Sequence, residues 1–330
     1  MTRIAVIGAG IGGLTLATSL AQSLGGRASI TVFDKGRGVG GRISTRREDG
    51  YRFDHGAPSF TVRSPAFAAW LAPLRAAGIV DEWQGPVVDL AAGRVLGARQ
   101  GLEPRFVGVP GMDALALHLA EGLHVRRGVE VAPLEAGPAP HRLRSLGGEE
   151  LGAFEMVVST APAHQTAVLF AAAAGEARTP VARMKPRHAL MVALPRPWSE
   201  PWVAARLQDG PLRAIFIDSS KPERATECAT LVAHTRARWS RQHDAIPGDI
   251  LAPVLLHALR AALPVAIGEP AFVKVHRWRS ALIRRATRPG PWIATGGSLA
   301  MSGDFAGSSR IEEVCLAALD LAERLARAVP

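Results

Sequence analysis

Apolar and polar positions change their period repeatedly along the chain, and each change marks an element. Ile4, Ala5, Val6 and Ile7 form an apolar run that predicts a short strand over residues 3–7. Glycines at 8, 10, 12 and 13 end it, and over residues 14–24 the apolar positions recur at helical spacing. Residues 29–33 return to strand character and stop at Asp34, which completes a strand–helix–strand unit. A Gly- and Arg-rich loop, 36–42, is followed by short strands over 44–47 and 51–54, a helix over 65–77 and irregular β structure over 83–97. Pro110-Gly111 precede a helix over 112–121. Strands over 124–131 and 155–159 flank a Pro/Gly-rich stretch, 137–148, expected as an exposed loop. In the second half, 189–194, 212–218 and 230–234 predict strands of a mixed or antiparallel sheet, 250–263 a helix and 272–278 an alternating strand. Residues 292–295 predict a short buried strand running into Gly296-Gly297. The stretch 311–329 carries Glu312, Glu313, Asp320, Glu323, Arg324 and Arg327 among apolar positions, the pattern of an amphipathic helix packed on a core. The pattern is α/β: a nucleotide-binding unit over 1–62, 108–163 and 286–330, interrupted by a mainly antiparallel α+β unit over 63–107 and 164–285.

Composition narrows the class. The chain has 330 residues, 48% of them apolar and 21% charged, which suits a globular protein and excludes disordered, collagen-like and disulfide-stapled chains. Two cysteines, Cys228 and Cys315, are too few for a disulfide framework or a cysteine-rich metal site, and the histidines lack metal-ligand spacing on a helix. The net charge of +10 is carried almost wholly by arginine, without a run of five or six basic residues. Scattered charge of this kind marks no nucleic-acid stripe. No apolar run is long enough to span a membrane and no leader pattern is present, so the cytoplasm is the expected compartment.

The first turn carries the chemistry. Gly8, Gly10 and Gly13 form G-x-G-x-x-G between a strand and a helix. The first glycine permits the tight turn, the second lets backbone approach a pyrophosphate, and the third allows close helix–strand packing. Asp34, 21 residues after Gly13, stands where an acid takes ribose hydroxyls. Beyond it, Lys35 and a second glycine pair, Gly40-Gly41, lead to Arg42, whose guanidinium fork suits a phosphate oxygen. A simple dehydrogenase does not need this second loop; a flavoprotein that also binds a dinucleotide does.

Several further blocks give the chain a more specific resemblance. They are Val32-Phe33-Asp34-Lys35 with Gly40-Gly41-Arg42, Phe53-Asp54-His55-Gly56-Ala57, Phe60-Thr61-Val62-Arg63, and Val107-Gly108-Val109-Pro110-Gly111-Met112. Ala189-Leu190-Met191, His234, Trp239-Ser240, His243 and His276-Arg277-Trp278-Arg279 continue the order. With these residues the chain resembles the bacterial renalase family, within the amine-oxidase-like FAD enzymes. The resemblance implies a Rossmann-like FAD-binding domain with a mainly antiparallel α+β substrate domain and non-covalent FAD. It implies that Gly12, Gly41, Arg42, Ala57 and Pro58 contact FAD, that Asp34 holds the adenosine ribose, that Val129 meets the adenine, and that Thr160 and Ala161 end a strand beside the cofactor. It also implies an oxidase of isomeric dihydronicotinamides, the 2- and 6-dihydro forms of NAD(P). By the same resemblance, hydride is expected to pass to flavin N5 and O2 to reoxidise the flavin, giving H2O2.

Two positions depart from the family. Pro58-Ser59 stand where Gln-Tyr is usual, and the expected Gly-Asp after the last strand is either Gly297-Ser298 or the later Gly303-Asp304. A dihydropyridine already stores a hydride, so its oxidation needs positioning and exclusion of water rather than a strong base. No residue is assigned as catalytic; Ser59, Phe60, His188, His234 and Trp278 are the pocket candidates. Amine oxidation is the competing chemistry. Tyr51 is the only tyrosine, so a tyrosine pair facing the flavin is impossible and Trp278 is the aromatic candidate. A third reading is a non-catalytic flavin-binding or sensing protein. No partner beyond a small-molecule substrate and O2 is expected, and a monomer is the default.

Overall fold

The opening strand–helix–strand unit forms as its spacing requires. Strand Thr2–Ile7 pairs in parallel with Ala28–Asp34, Ile4 opposite Ile30, and helix Ile11–Leu24 crosses between them. Leu14, Leu16, Ala17 and Leu20 on that helix are fully buried. The molecule is described by a computed structural model covering residues 1–174, 182–284, 290–294 and 296–329. The first sheet runs in the order Trp292–Ile293, Leu299–Met301, Met156–Ser159, Thr2–Ile7, Ala28–Asp34, His124–Arg127. All neighbours are parallel except the outermost pair. The last helix, Ile311–Ala328, lies against the first so closely that a Cβ at Gly12 would come within 2.8 Å of Val314 Cγ1.

The second sheet has seven strands, in the order Phe272–Ile283, Met184–Leu194, Ala229–Thr235, Leu212–Ile217, Ala204–Leu207, Val87–Ala91, Arg94–Ala98. It is antiparallel except where Ala204–Leu207 meets Val87–Ala91. One face, with Leu190, Val192, Ile215 and Leu231, packs on Leu251, Leu255 and Leu259 of helix Gly248–Ala262. The other face, with Ala189, Met191, Val232 and Phe272, packs on Phe53 and looks toward the first domain. Both faces are covered, which explains why the central strands read as continuous apolar runs.

Four expectations change. The stretch 137–148 is not simply an exposed loop: strand His141–Arg144 pairs with Glu150–Phe154 and buries Leu143 against Phe33 and Phe154. Helix Pro65–Ala76, expected in the second unit, sends Phe67, Leu71 and Leu74 into the first core. Glu312 ties it there by accepting the backbone N–H groups of Arg63 (3.0 Å) and Ser64 (2.7 Å). The alternating strand expected over 272–278 continues to Ile283. Trp292–Ile293 is an antiparallel edge, and the parallel strand at this end of the sheet is Leu299–Met301. Thr295, placed in a strand by the sequence, lies outside the described residues.

Candidate active site

The cradle is built from backbone. Gly8 adopts φ +112°, and its N–H donates to the Phe33 carbonyl at 2.8 Å, which brings the two strand ends together. A Cβ at Gly13 would overlap the Gly8 carbonyl, so helix and turn meet at the closest possible approach. A Cβ at Gly10 would meet nothing within 4 Å: it points into open space above the helix start. No acidic residue occupies the first helical turn, so its free N–H groups and positive dipole end face that space unopposed. Thr160 supports the turn from below, donating to the Ile7 and Gly8 carbonyls at 3.2 and 3.1 Å. Ala161 follows it at the end of strand Met156–Ser159.

Asp34 closes the cradle. Its two carboxylate oxygens accept the N–H groups of Ala9 and Gly36, each at 2.6 Å. Val129 sits beside it, donating its N–H to the Asp34 carbonyl at 2.9 Å. Lys35 turns outward to a half-exposed ion pair with Glu130. The second glycine pair adopts φ +100° at Gly40 and +52° at Gly41, and the Gly40 N–H donates to the Ala9 carbonyl at 2.8 Å. Left-handed backbone at both positions is what lets the loop fold back over the first turn.

Arg42 emerges from that fold-back and meets Asp304, Nη1 to Oδ2 at 2.5 Å. Asp304 is almost fully buried, and its other oxygen, Oδ1, has no hydrogen-bond partner. It follows Gly303, just past the carboxyl end of the parallel strand Leu299–Met301. The two sequence candidates lie at opposite ends of this strand. Gly297 and Ser298 lie in the turn at the opposite, amino end of that strand, where Ser298 Oγ bonds His141 Nε2 at 3.0 Å. Neither is placed at the cradle; the alternation of short apolar runs gave no way to know which run was the parallel strand.

The wall opposite the cradle comes from the second sheet. The Ala57 N–H donates to the Arg42 carbonyl at 2.8 Å, and a Cβ at Gly56 would overlap that carbonyl. The His55–Ala57 turn is thereby fastened to the Arg42 loop. Behind it Trp278 Nε1 donates to the His55 carbonyl at 2.9 Å, and His234 Nε2 lies 3.3 Å from the same oxygen. The His55 ring stands 4.6 Å from that of His276 and 5.0 Å from that of Trp278. Burial, His276 and Arg46 hold the His55 imidazole down at about 3. Burial and then Arg46 hold His276 at about 4, and burial and then Arg187 hold His234 at about 3. All three are neutral at physiological pH.

The remaining candidates separate. His188 is fully buried but on the other face of the sheet: it pairs with Arg277, while its neighbour Ala189 pairs with His276 and His234. Its ring meets Trp239, 5.7 Å away, so it does not line this wall. Period 2 sends alternate residues to opposite faces, and the register was not legible from the sequence. Phe60 is committed to the first core between Phe67 and Phe106, each 6.1 Å away. Pro58 and Ser59 are partly exposed just beyond Ala57. Tyr51 packs beside Phe53 and Phe272 in the core, not in an aromatic pair with Trp278.

The structure adds a cluster that the sequence reading missed. Asp54, Asp218, Lys221 and Arg224 meet with side chains at most 3% exposed. Lys221 Nζ bridges Asp54 (2.8 Å) and Asp218 (2.6 Å), and Arg224 reaches Asp54 at 2.7 Å. Asp54 also accepts Thr45 Oγ1 (2.7 Å) and the Met112 N–H (3.1 Å), and its own N–H donates to Asp218 at 2.5 Å. Burial opposes its ionisation, yet Lys221 and Arg224 win and bring it to about 2. Burial pushes Asp218 up. The signal available was Lys221 itself, one of few lysines, in a segment with no assigned element.

A glycine cradle at the carboxyl end of a parallel sheet and an acid on the second strand, under a covering antiparallel sheet, define a dinucleotide-binding protein. The chain belongs to the family of flavin containing amine oxidoreductases, which it matches over residues 85–304, and residues 6–74 match an NAD(P)-binding Rossmann-like domain. It is an FAD-dependent oxidoreductase. Among curated proteins it is 35% identical to coproporphyrinogen III oxidase of Mycobacterium tuberculosis over 109 residues, 32% of this chain and 23% of that one. It is 48% identical to bovine (Bos taurus) prenylcysteine oxidase 1-like over 59 residues, 18% of this chain and 12% of that one. The matched segments are thus less than a quarter of those relatives' lengths. A solved structure of a proposed protoporphyrinogen oxidase from Exiguobacterium sp. 255-15 superposes with TM-score 0.75 at 13% identity, covering 99% of both chains. Putrescine oxidase bound to putrescine superposes with TM-score 0.70 at 14% identity, covering 99% of this chain and 98% of that one. These likenesses establish the fold. The residues also fit FAD: the space beside Gly10 admits a pyrophosphate, the helix start is free of acids, and the buried, orphaned Asp304 Oδ1 calls for a donor.

Proposed function

We propose that this protein is an oxidase of isomeric dihydronicotinamides. The carrying observation is the wall: Trp278 with three neutral imidazoles, where the nearby carboxylates, Asp54 and Glu48, are each held in ion pairs. Asp54 is locked in its ion cluster, and Glu48 is paired with Arg46 and Lys274. Such a wall suits a donor that already carries a transferable hydride and needs only orientation and shelter from water. FAD held in the cradle would supply the two-electron acceptor for that hydride and the route to O2, which takes the electrons and two protons as H2O2. Gly8, Gly10, Gly12 and Gly13 would seat the pyrophosphate, Asp34 the adenosine ribose and Val129 the adenine. Gly41 and Arg42 would flank the phosphates, Asp304 Oδ1 would accept a ribityl hydroxyl, and Ala57-Pro58 would border the ring system beside Thr160.

Amine oxidation is the second reading, supported by the family and by Trp278 packed against His55. One experiment separates the two: the flavoprotein is mixed anaerobically with dihydronicotinamide isomers or with simple amines, and the visible flavin band is followed. Fast bleaching by the dihydronicotinamides, reversed by oxygen, is expected. Faster bleaching by an amine refutes the proposal. Bleaching by no donor favours a binding or sensing protein.

A further inference from the structure

The face of the sheet that carries His234, His276 and Trp278 also carries a cation with which no acidic side chain among the described residues pairs. Arg187 stands directly opposite Trp278, two residues from Ala189, which pairs with His276 on one side and His234 on the other. Paired residues of antiparallel strands project to the same side, so these side chains share one face. The guanidinium is aimed by a hydrogen bond from Nη1 to the Thr235 carbonyl at 3.2 Å, which orients it without neutralising it. Among the described residues no carboxylate pairs with it. The charged group that acts on it is a second cation, Arg213, at the bulge between Leu212 and Ala214, where Ala214 pairs with His234. Burial and then Arg213 lower Arg187 to about 10, which leaves it charged at neutral pH. His234, on the wall itself, is neutral. Nearby acids are committed elsewhere: Glu48 to Arg46 and Lys274, Asp89 to Arg99, and Asp54 and Asp218 to Lys221. A half-buried guanidinium oriented by one backbone carbonyl and paired with no carboxylate among the described residues is relieved by a planar oxyanion, which offers it charge-assisted hydrogen bonds.

We propose that Arg187, with Arg213 at the rim, binds an anionic group of the substrate, a carboxylate or phosphate, and so sets which end of the molecule meets the Trp278 wall. The inference rests on the oxidase reading and narrows it to acidic small molecules, against amines whose only charges are positive.

The test titrates the FAD-loaded protein with inorganic phosphate, benzoate and neutral benzamide, following both the flavin difference spectrum and the thermal midpoint. Wild type is expected to bind at least one anion and to discriminate against benzamide. Arg187→Met should weaken anion binding about tenfold to a hundredfold, the effect of losing a charged hydrogen bond. Arg187→Lys should recover part of it, and Arg213→Met should lose less. Preference for phosphate over benzoate points to a phosphorylated substrate, the reverse to a carboxylate. Equal binding of benzoate and benzamide, no anion binding at all, or an Arg187→Met variant that binds anions like wild type overturns the proposal. The thermal midpoint reports on the anion even in protein that takes up no FAD, so failure of the flavin reading would show separately.

Discussion

Replacing Lys221 by Met should destabilise the protein severely, and the cluster allows the size to be worked out. Lys221 and Arg224 balance Asp54 and Asp218, so the buried group is neutral as a whole. Removing one cation leaves a net negative charge among side chains at most 3% exposed. Breaking a buried pair in this way costs about 3–5 kcal/mol. Asp218, already pushed up by burial, limits the loss by taking a proton. At about 2–4 °C per kcal/mol for a large domain, the thermal midpoint should fall by about 10 °C. The consequence reaches the site, because Asp54 precedes His55-Gly56-Ala57 and holds the Met112 N–H. The assay is thermal unfolding of the FAD-loaded protein followed by circular dichroism and flavin fluorescence. The double variant Asp218→Asn with Lys221→Met restores charge balance and should recover more than half of the loss. A Lys221→Met midpoint within 1–2 °C of wild type, or a double variant worse than the single, refutes the reasoning. Acid probes the same cluster. Lys221 and Arg224 hold Asp54 at about 2 against an ordinary 3.8, so its contribution is present above pH 4 and is lost as pH falls through 2, while Asp218, pushed up by burial, acts in the opposite sense.

The other predictions concern the cofactor and the wall. Gly10→Ala places a methyl in the open cradle and should reduce FAD content with the fold intact, whereas Gly13→Ala drives a methyl into the Gly8 carbonyl and should reduce yield of folded protein; circular dichroism and flavin absorbance distinguish them. Asp34→Ala and Arg42→Ala should each weaken FAD binding about tenfold or more, the first by also stranding the Ala9 and Gly36 N–H groups, the second by unpairing Asp304; unchanged flavin content in both variants would sink the cradle assignment. Since His55, His234 and His276 are held at about 3, 3 and 4, flavin bleaching by substrate should be flat between pH 5 and 8, and a step near 6.5 would show that one of them titrates there. The unfolded chain takes up these protons near 6.5 and the folded chain does not, so folding stability should fall as pH drops below 6.5. Restoring Gln-Tyr at Pro58-Ser59 should change the rate of bleaching; identical kinetics would make that departure neutral.

Much of the cradle was legible because its chemistry is local. The Gly8–Gly13 turn, Asp34 and the Gly40-Gly41-Arg42 loop act through backbone dihedrals and short spacings, which a linear sequence displays directly. What failed did so wherever facing or register mattered. His188 and His234 look alike in sequence, and only the pairing of Ala189 with His234 puts one on the wall and the other behind it. Gly297-Ser298 and Gly303-Asp304 follow equally short apolar runs, and only the pairing of Leu299–Met301 with Met156–Ser159 shows which pair ends at the cradle.

By itself the sequence determined the α/β class, the dinucleotide cradle and the flavin, since each depends on residues within a few turns of one another. The tertiary structure decided the rest. It brought Arg42 to Asp304 across 262 positions and Asp54 to Lys221 across 167, and it set Arg187 opposite Trp278 on the sheet face that carries His234 and His276. Pairings between such distant residues follow from how two sheets register and pack, and no local spacing encodes that.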